Sequence, residues 1–277
     1  MIIGVDVGGT KINAGIVAGG KVTSMQHTFL RNKESLSSTI SQLIATISPL
    51  IIPGITGIGV GVPSAVDLER GIVYNVINIP GWQRVELKKI LEAEFNIRVL
   101  INNDVNCFVL GEHRYGEAKQ YSSVVALALG TGLGAGIIIN NELYCGRNCG
   151  AGEIGLLPYR DKNLEFYTSS MFFESVYSTS AYEAHKNATE GGHNALGIWA
   201  EYGKHLGNAI KTVVYTYDPE AIILGGSIAK AYPFFEKTML ESLAGFQFPE
   251  SIKKLKILRS LNDDIAVLGA AALLNGK

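Results

Sequence analysis

The sequence predicts an α/β protein of two lobes with a cleft between them. Strand, loop and helix patterns alternate along the chain. A Gly-Thr hairpin between apolar, β-prone runs occurs twice, about 120 residues apart, so each lobe opens in the same way, a hint of duplication. The 277 residues are 47% hydrophobic and 18% charged, enough for two modest cores and unlike a disordered chain.

The first strand is Ile2 to Val7, and Gly8-Gly9-Thr10 turns it into a second apolar run, Ile12 to Val17. A third strand, Lys21 to Phe29, precedes Ser35 to Leu50, where Leu36, Ile40, Leu43, Ile44 and Ile47 recur at helical spacing. Ile55 to Val62 reads as a buried strand, and Pro63 to Asp67 as a loop. Gly71 to Val76 is another short strand, and Glu86 to Phe95 a helix. Val99 to Ile101 is a strand that runs through Asn102-Asn103-Asp104 into a helix, Val105 to Tyr115. The second lobe begins with Ser123 to Leu129, a glycine-rich loop over 130–136 and a strand at Ile137 to Asn140. Glu165 to His185 and His193 to Tyr217 are its main helical segments, and Ala221 to Leu224 is a strand before Gly225-Gly226. An Ala/Leu-rich helix, Ile265 to Leu274, ends the chain. The expected lobes are 1–115 and 116–264, with the segment 265–277 returning to the first.

The first hairpin carries chemistry. Glycines let backbone N–H groups approach an anion closely, because no Cβ stands in the way. Asp6 beside such a nest needs a cation between itself and a phosphate, which points to a nucleotide-phosphate turn with Asp6 oriented toward Mg²⁺. The loop is not of the GxxxxGK[ST] type that feeds a helix, and a plain structural turn is the competing reading. The second hairpin (Gly130, Thr131, Gly132, Gly134) repeats the pattern, and Gly225-Gly226 lies at the carboxyl end of a strand, where α/β sheets bind ligands. Asp104, at the end of a buried strand, fits either a helix N-cap or a base that takes a proton from a substrate hydroxyl. Glu153 on a glycine turn and Asn78 before Pro80-Gly81-Trp82 fit either turn roles or hydroxyl binding; Trp82 fits a core aromatic.

A net charge of −1 gives no reason to expect nucleic acid or an anionic membrane as partner. No leader pattern opens the sequence and no apolar run reaches the ~20 residues of a spanning helix. Cys107, Cys145 and Cys149 read as ordinary thiols of a reducing cytoplasm, with no second pair to complete a zinc site.

Seven motifs in order resemble the ROK (repressor, open reading frame, kinase) family within the actin/hexokinase/Hsp70 ATPase superfamily. They are Asp6-x-Gly8-Gly9-Thr10-Lys11, Gly59-x-Gly61-x-Pro63, Asn78-x-Pro80-Gly81-Trp82, Asn102-Asn103-Asp104-x-Asn106, Gly130-Thr131-Gly132-x-Gly134, Gly152-Glu153-Ile154-Gly155 and Leu224-Gly225-Gly226. The resemblance implies the two-lobed actin-like ATPase (ribonuclease H-like) fold, a cytoplasmic homodimer, and ATP-dependent phosphorylation of a hexose or N-acetylhexosamine hydroxyl, usually at C6. It makes Asp104 the catalytic base and Asp6 the residue that holds Mg²⁺ through water. Gly8, Gly9, Thr10 and Lys11, with Gly130, Thr131, Gly132 and Gly134, become the phosphate clamps, and Gly225 and Gly226 the adenosine pocket. Asn78, Asn103, Asp104, Glu153 and Glu174 become the sugar ligands. Two departures stand out. Leu156 occupies the position of a family His, and the zinc cysteines are missing from Asp161 to Glu174, so no structural zinc is expected. Repressors of the family carry an additional N-terminal DNA-binding segment, which this sequence does not show.

Overall fold

The computed structural model describes residues 1–275. In chain order the first elements are β1 (Ile2–Val7), β2 (Lys11–Ala18), β3 (Lys21–Phe29), α1 (Leu36–Ile47), β4 (Gly57–Val62), β5 (Ala65–Asp67), β6 (Ile72–Tyr74) and β7 (Arg84–Val85). Then come α2 (Leu87–Phe95), β8 (Val99–Asn103), α3 (Asp104–Tyr115), β9 (Val124–Leu129), β10 (Leu133–Ile139) and β11 (Glu142–Leu143). The rest are β12 (Pro158–Tyr159), β13 (Lys162–Asn163), α4 (Leu164–Thr168), α5 (Ser170–Tyr177), α6 (Ala181–Thr189), α7 (His193–Tyr217), β14 (Ala221–Gly225), α8 (Tyr232–Ser242), α9 (Pro249–Lys254), β15 (Lys256–Arg259) and α10 (Ile265–Ala272).

These elements form two compact units. One comprises Met1–Gln120, Gly136–Ala151 and the chain from Leu261; the other comprises Tyr121–Ala135 and Gly152–Ser260. The first unit holds a five-stranded sheet in the order β3-β2-β1-β4-β8. β1 pairs antiparallel with β2 and parallel with β4, which pairs parallel with β8. All six residues of β4 are buried, as expected of a strand covered on both faces. α10 covers this sheet because glycines let it: a Cβ on Gly4 would stand 1.9 Å from the Val267 carbonyl oxygen, and one on Gly59 1.8 Å from that of Ala270. α10 meets α3 in the same way, with Gly269 against the Cys107 carbonyl and Gly111 against that of Ile265. Gly276 and Lys277, the end of the segment expected to return to this lobe, lie outside the described residues.

The second five-stranded sheet runs β11-β10-β9-β14-β15, with β14 parallel to both β9 and β15. Its order reproduces that of the first sheet strand for strand, which is the duplication that the paired Gly-Thr hairpins hint at. The core of the second unit is aromatic. Trp199 and Tyr202 of α7 pack on Phe172 and Phe173 of α5 and Phe235 of α8, with Phe173 and Trp199 rings 4.7 Å apart. The Tyr202 hydroxyl donates to Thr168 O at 2.9 Å, so its buried polar end is satisfied.

Three local expectations are corrected. The helical segment expected over Glu165 to His185 is divided into three short helices, α4 to α6. Ser169 caps α5, Ser178 closes it at φ 52°, and Ser180 caps α6. Ala65 to Asp67, expected as loop, is a strand of the small β5-β6-β7 sheet. The glycine-rich loop over 130–136 is a tight turn at Gly130–Gly132, after which β10 starts at Leu133, four residues before the expected strand.

Candidate functional site

In the first unit the Gly8–Thr10 turn is closed by Gly8 N–H donating to Lys11 O at 2.9 Å. The Lys33 ammonium donates to Gly9 O at 3.0 Å. Asn78 lies directly over Gly9: a Cβ there would come within 2.6 Å of the Asn78 Cβ. The loop that carries Asn78 is fixed from beneath by Trp82, 1% exposed, whose indole N–H donates to Thr39 Oγ1 at 2.7 Å. Trp82 is thus a core aromatic that positions a surface asparagine. Asp6 accepts a 3.3 Å hydrogen bond from Asn13 Nδ2. Burial holds its carboxyl above the ordinary range, opposed by the Asn13 bond and the Lys11 charge. A desolvated carboxylate beside a glycine turn suits a hydrated Mg²⁺, which needs only one or two carboxylates when phosphates supply the rest. Among the described residues no group of three or more His, Cys, Asp or Glu side chains could hold a metal ion.

β8 delivers Asn102, Asn103 and Asp104 to the start of α3. The cap is Asn103 rather than Asp104: Asn103 Oδ1 accepts from the Val105 and Asn106 amides at 2.9 and 3.2 Å. That leaves Asn103 Nδ2, 3.5 Å from Ser64 O, as the side-chain group able to donate to a hydroxyl. Asp104 is the first helical residue and is half-buried, its Oδ1 accepting from Val105 N at 2.9 Å. A Cβ on Gly61 would stand 3.3 Å from Asp104 Cα, so that strand approaches closely. Asp6 and Asp104 share surroundings, since both charges help to raise the buried Cys107 thiol after desolvation, the larger cause.

In the second unit Gly130 N–H donates to Gly132 O at 3.1 Å, and Ser170 N–H to Gly130 O at 2.8 Å. Among the described residues, nothing beyond its own chain neighbours lies within 4 Å of where a Cβ on Gly130 would sit. Gly226, at φ 86°, packs its backbone against Leu129 O, placing the end of β14 beside the foot of this turn. Thr131 is exposed and Gly132 and Gly134 are partly so.

Sequence reasoning missed Glu165. Its Oε2 accepts from Leu133 N at 2.9 Å and would lie 2.6 Å from a Cβ on Gly132. Glu153 is exposed on its glycine turn, with its carboxyl raised by partial desolvation and then by the charge of Glu165. Glu174, chosen from the sequence, is exposed on α5, and Glu165 is the carboxylate whose charge reaches Glu153. The available signal was the Asn163-x-Glu165 spacing at a helix start, where Asn163 caps α4 by accepting from Phe166 N at 2.8 Å. Leu156 is 61% exposed. Two cavities of about 500 and 540 Å³ in this unit are lined by other residues, around Tyr232 and Phe246 and around Arg160 and His205.

The family model described as "ROK family" matches residues 2–277. This chain belongs to the ROK family. Among its ROK relatives, a glucokinase of Thermotoga maritima is 28% identical over 313 residues, covering 99% of this chain and 96% of the relative. A xylose repressor of Bacillus spizizenii is 27% identical over 297 residues, covering 98% and 76%. The crystal structure of a ROK family glucokinase from Streptomyces griseus, in complex with glucose and AMPPNP, superposes with a TM-score of 0.85 at 25% identity and covers 99% of each chain. The fold is therefore the actin-like ATPase fold of the ROK proteins. No helix among the described residues is long and apolar enough to cross a membrane.

Proposed function

We propose that this ROK protein transfers the γ-phosphoryl group of ATP to a hydroxyl of a hexose or N-acetylhexosamine, at C6, with Asp104 as general base. The observation that carries the reading is Asp104 itself. It is a half-buried carboxylate that directly follows β8 at the start of α3, where the helix cap is Asn103. Phosphoryl transfer asks the protein mainly to position the nucleophile and balance charge. Asp104 takes the hydroxyl proton as the sugar oxygen attacks γ-phosphorus and ADP leaves.

In the first unit Gly8, Gly9, Thr10 and Lys11 would bind phosphate through the turn amides and the ammonium, and Asp6 would hold Mg²⁺ through water. Bound there, the ion supplies charge neutralisation to the phosphates. In the second unit Gly130, Thr131, Gly132 and Gly134 would bind phosphate, and Gly225 and Gly226 would line the adenosine pocket. Asn78, Asn103 and Glu153 would bind sugar hydroxyls, and the charge of Glu165 felt at Glu153 favours Glu165 over Glu174 as the second carboxylate in that role. The Thermotoga and Streptomyces relatives, both named glucokinases, support the reading. We further propose that the protein works as a cytoplasmic homodimer, as the family resemblance implies.

The test is a coupled ADP-release assay with Mg-ATP against glucose, mannose, fructose, allose, glucosamine, N-acetylglucosamine and N-acetylmannosamine. Saturable turnover with one or two sugars is expected. Asp104→Ala should reduce it by about 10²–10⁴-fold while keeping sugar binding partly intact. The variant should fold, because the α3 cap belongs to Asn103. Near-normal turnover in Asp104→Ala would remove it from the role. Leu156 and the xylose repressor relative favour a second reading, a sugar-binding regulator without turnover. A sugar that raises the melting temperature without any ADP release would select it.

A further inference from the structure

Cys145 and Cys149 have no part in the roles above, yet the first unit builds a site around them. The stretch Cys145-Gly146-Arg147-Asn148-Cys149 is a closed loop in which Ala151 N–H donates to Cys145 O at 3.1 Å. Gly146 and Cys149 turn it with φ of 69° and 58°. The loop brings both thiols to one carboxamide, with Cys145 Sγ 3.8 Å and Cys149 Sγ 3.2 Å from Asn102 Oδ1. Asn102 Nδ2 donates to Cys145 Sγ at 3.5 Å, and its Oδ1 accepts from Cys149 Sγ. Asn106 Nδ2 donates to Cys149 Sγ at 3.5 Å and to Asn102 Oδ1 at 2.9 Å. Each sulfur thus has one amide N–H donor, Asn102 Nδ2 on Cys145 and Asn106 Nδ2 on Cys149, which favours a thiolate there. Cys149 is lowered, first by the Cys145 S–H, against desolvation, and then by the Asn103 and Val66 amides and by Asn106. Cys145 is correspondingly raised. Arg147, Asn148 and Gly150 are exposed, so the pair lies just beneath the surface.

We propose that Cys145 and Cys149 are a paired-thiol site that hydrogen peroxide oxidises reversibly to an intramolecular disulfide. The Cys149 thiolate attacks one peroxide oxygen and the O–O bond breaks. The departing hydroxide takes up the thiol's proton and leaves as water, and Cys149 becomes a sulfenic acid. Cys145 sulfur then attacks the Cys149 sulfur, its proton leaves with the hydroxyl as a second water, and the S–S bond forms. Two electrons pass from the sulfurs to the peroxide, and a dithiol reductant reverses the step by exchange.

The pair is wired to the segment that carries Asp104. Asn102 Oδ1, which accepts from Cys149, also accepts the Asn103 amide at 2.8 Å. Disulfide formation removes the S–H donors from that oxygen and redraws the hydrogen bonds one residue from Asp104. The same loop continues along the chain into Gly152-Glu153. An effect on turnover rests on the phosphotransfer reading; the thiol chemistry does not.

The test uses the full chain, freed of reductant, treated with stoichiometric hydrogen peroxide, blocked with iodoacetamide and digested with trypsin. Arg147 lies between the two cysteines, so the disulfide joins two peptides, 120–147 and 148–160. The expected product is that linked pair, lighter by two hydrogens than the separate peptides, with Cys107 alkylated. Cys145→Ser should yield none of it. The linked form should lose most of its sugar-dependent turnover and regain it with dithiothreitol, whereas Cys145→Ser should keep its turnover under peroxide. Overoxidised Cys149 without a linked pair, a disulfide through Cys107, or crosslinks between copies would overturn the site. Equal turnover in the reduced and linked forms would overturn its coupling to Asp104. A linked pair with no turnover in either state supports the site and counts against the kinase reading instead.

Discussion

The Gly8–Thr10 and Gly130–Gly132 turns read almost alike in sequence but are built for different neighbours. Gly9 is a glycine because the protein itself fills the space, with Asn78 on one side and the Lys33 ammonium on its carbonyl. Gly130 faces open space. Beside it, Gly132 makes room for the Glu165 carboxylate, which occupies the Leu133 amide. A missing Cβ thus serves packing at Gly9 and Gly132 and leaves a surface clear at Gly130. A side chain added at Gly9 and at Gly130 should separate the roles.

The largest effect expected, after the loss of turnover in Asp104→Ala, is on the first turn. Gly9→Ala must push Asn78 away, and overpacking of this kind costs about 1–3 kcal/mol. Its melting temperature should fall and its KM for sugar should rise together. Gly130→Ala should unfold within about 0.5 kcal/mol of the parent, as a substitution into open space does, yet bind ATP more weakly by calorimetry. Unchanged ATP affinity there would break the comparison, leaving the second turn a structural hairpin.

Asp6→Asn should sharpen it from the other direction. Burial raises the Asp6 pKa in the folded protein, so the native state binds more protons than the unfolded chain, and stability falls as pH rises through that interval. The cost is complete above the raised pKa and vanishes below the ordinary carboxylate value. Without nucleotide, Asp6→Asn should therefore melt higher than the parent near neutral pH. The gap should close as the pH falls toward the ordinary carboxylate range, while Mg-ATP no longer stabilises the variant. The smallest effect expected is Glu165→Gln. It removes a like charge and should lower the Glu153 pKa in an NMR titration, with little change in melting temperature.

Much of this was legible in the sequence. The strand pattern of Ile55 to Val62, the apolar stripe of Glu201 to Val214 and the two glycine turns are local signals, written in consecutive residues. The segment Glu165 to His185 misled because its apolar content continues across Ser169 and Ser178, and only cap geometry reveals where each short helix stops. The early start of β10 escaped for a different reason. Gly136 looks like part of a flexible loop, but a Cβ there would stand 2.5 Å from the Val105 carbonyl, so it is a strand residue against which α3 packs closely. Glu165 escaped because its partners, Leu133 and Glu153, lie 32 and 12 residues earlier in the chain.

The sequence by itself determined the alternation of strands and helices, the repeated hairpin and the order of the ROK motifs, because each of these depends on neighbours along the chain. Tertiary structure alone decided that Asn78 covers Gly9, that α10 lies on Gly4 and Gly59, and that Glu165 rather than Glu174 acts on Glu153. It also set two cysteines against Asn102, one residue from the cap of α3. Each of these is a contact between residues far apart in sequence, fixed by which backbones the folded units bring within a few ångströms of one another.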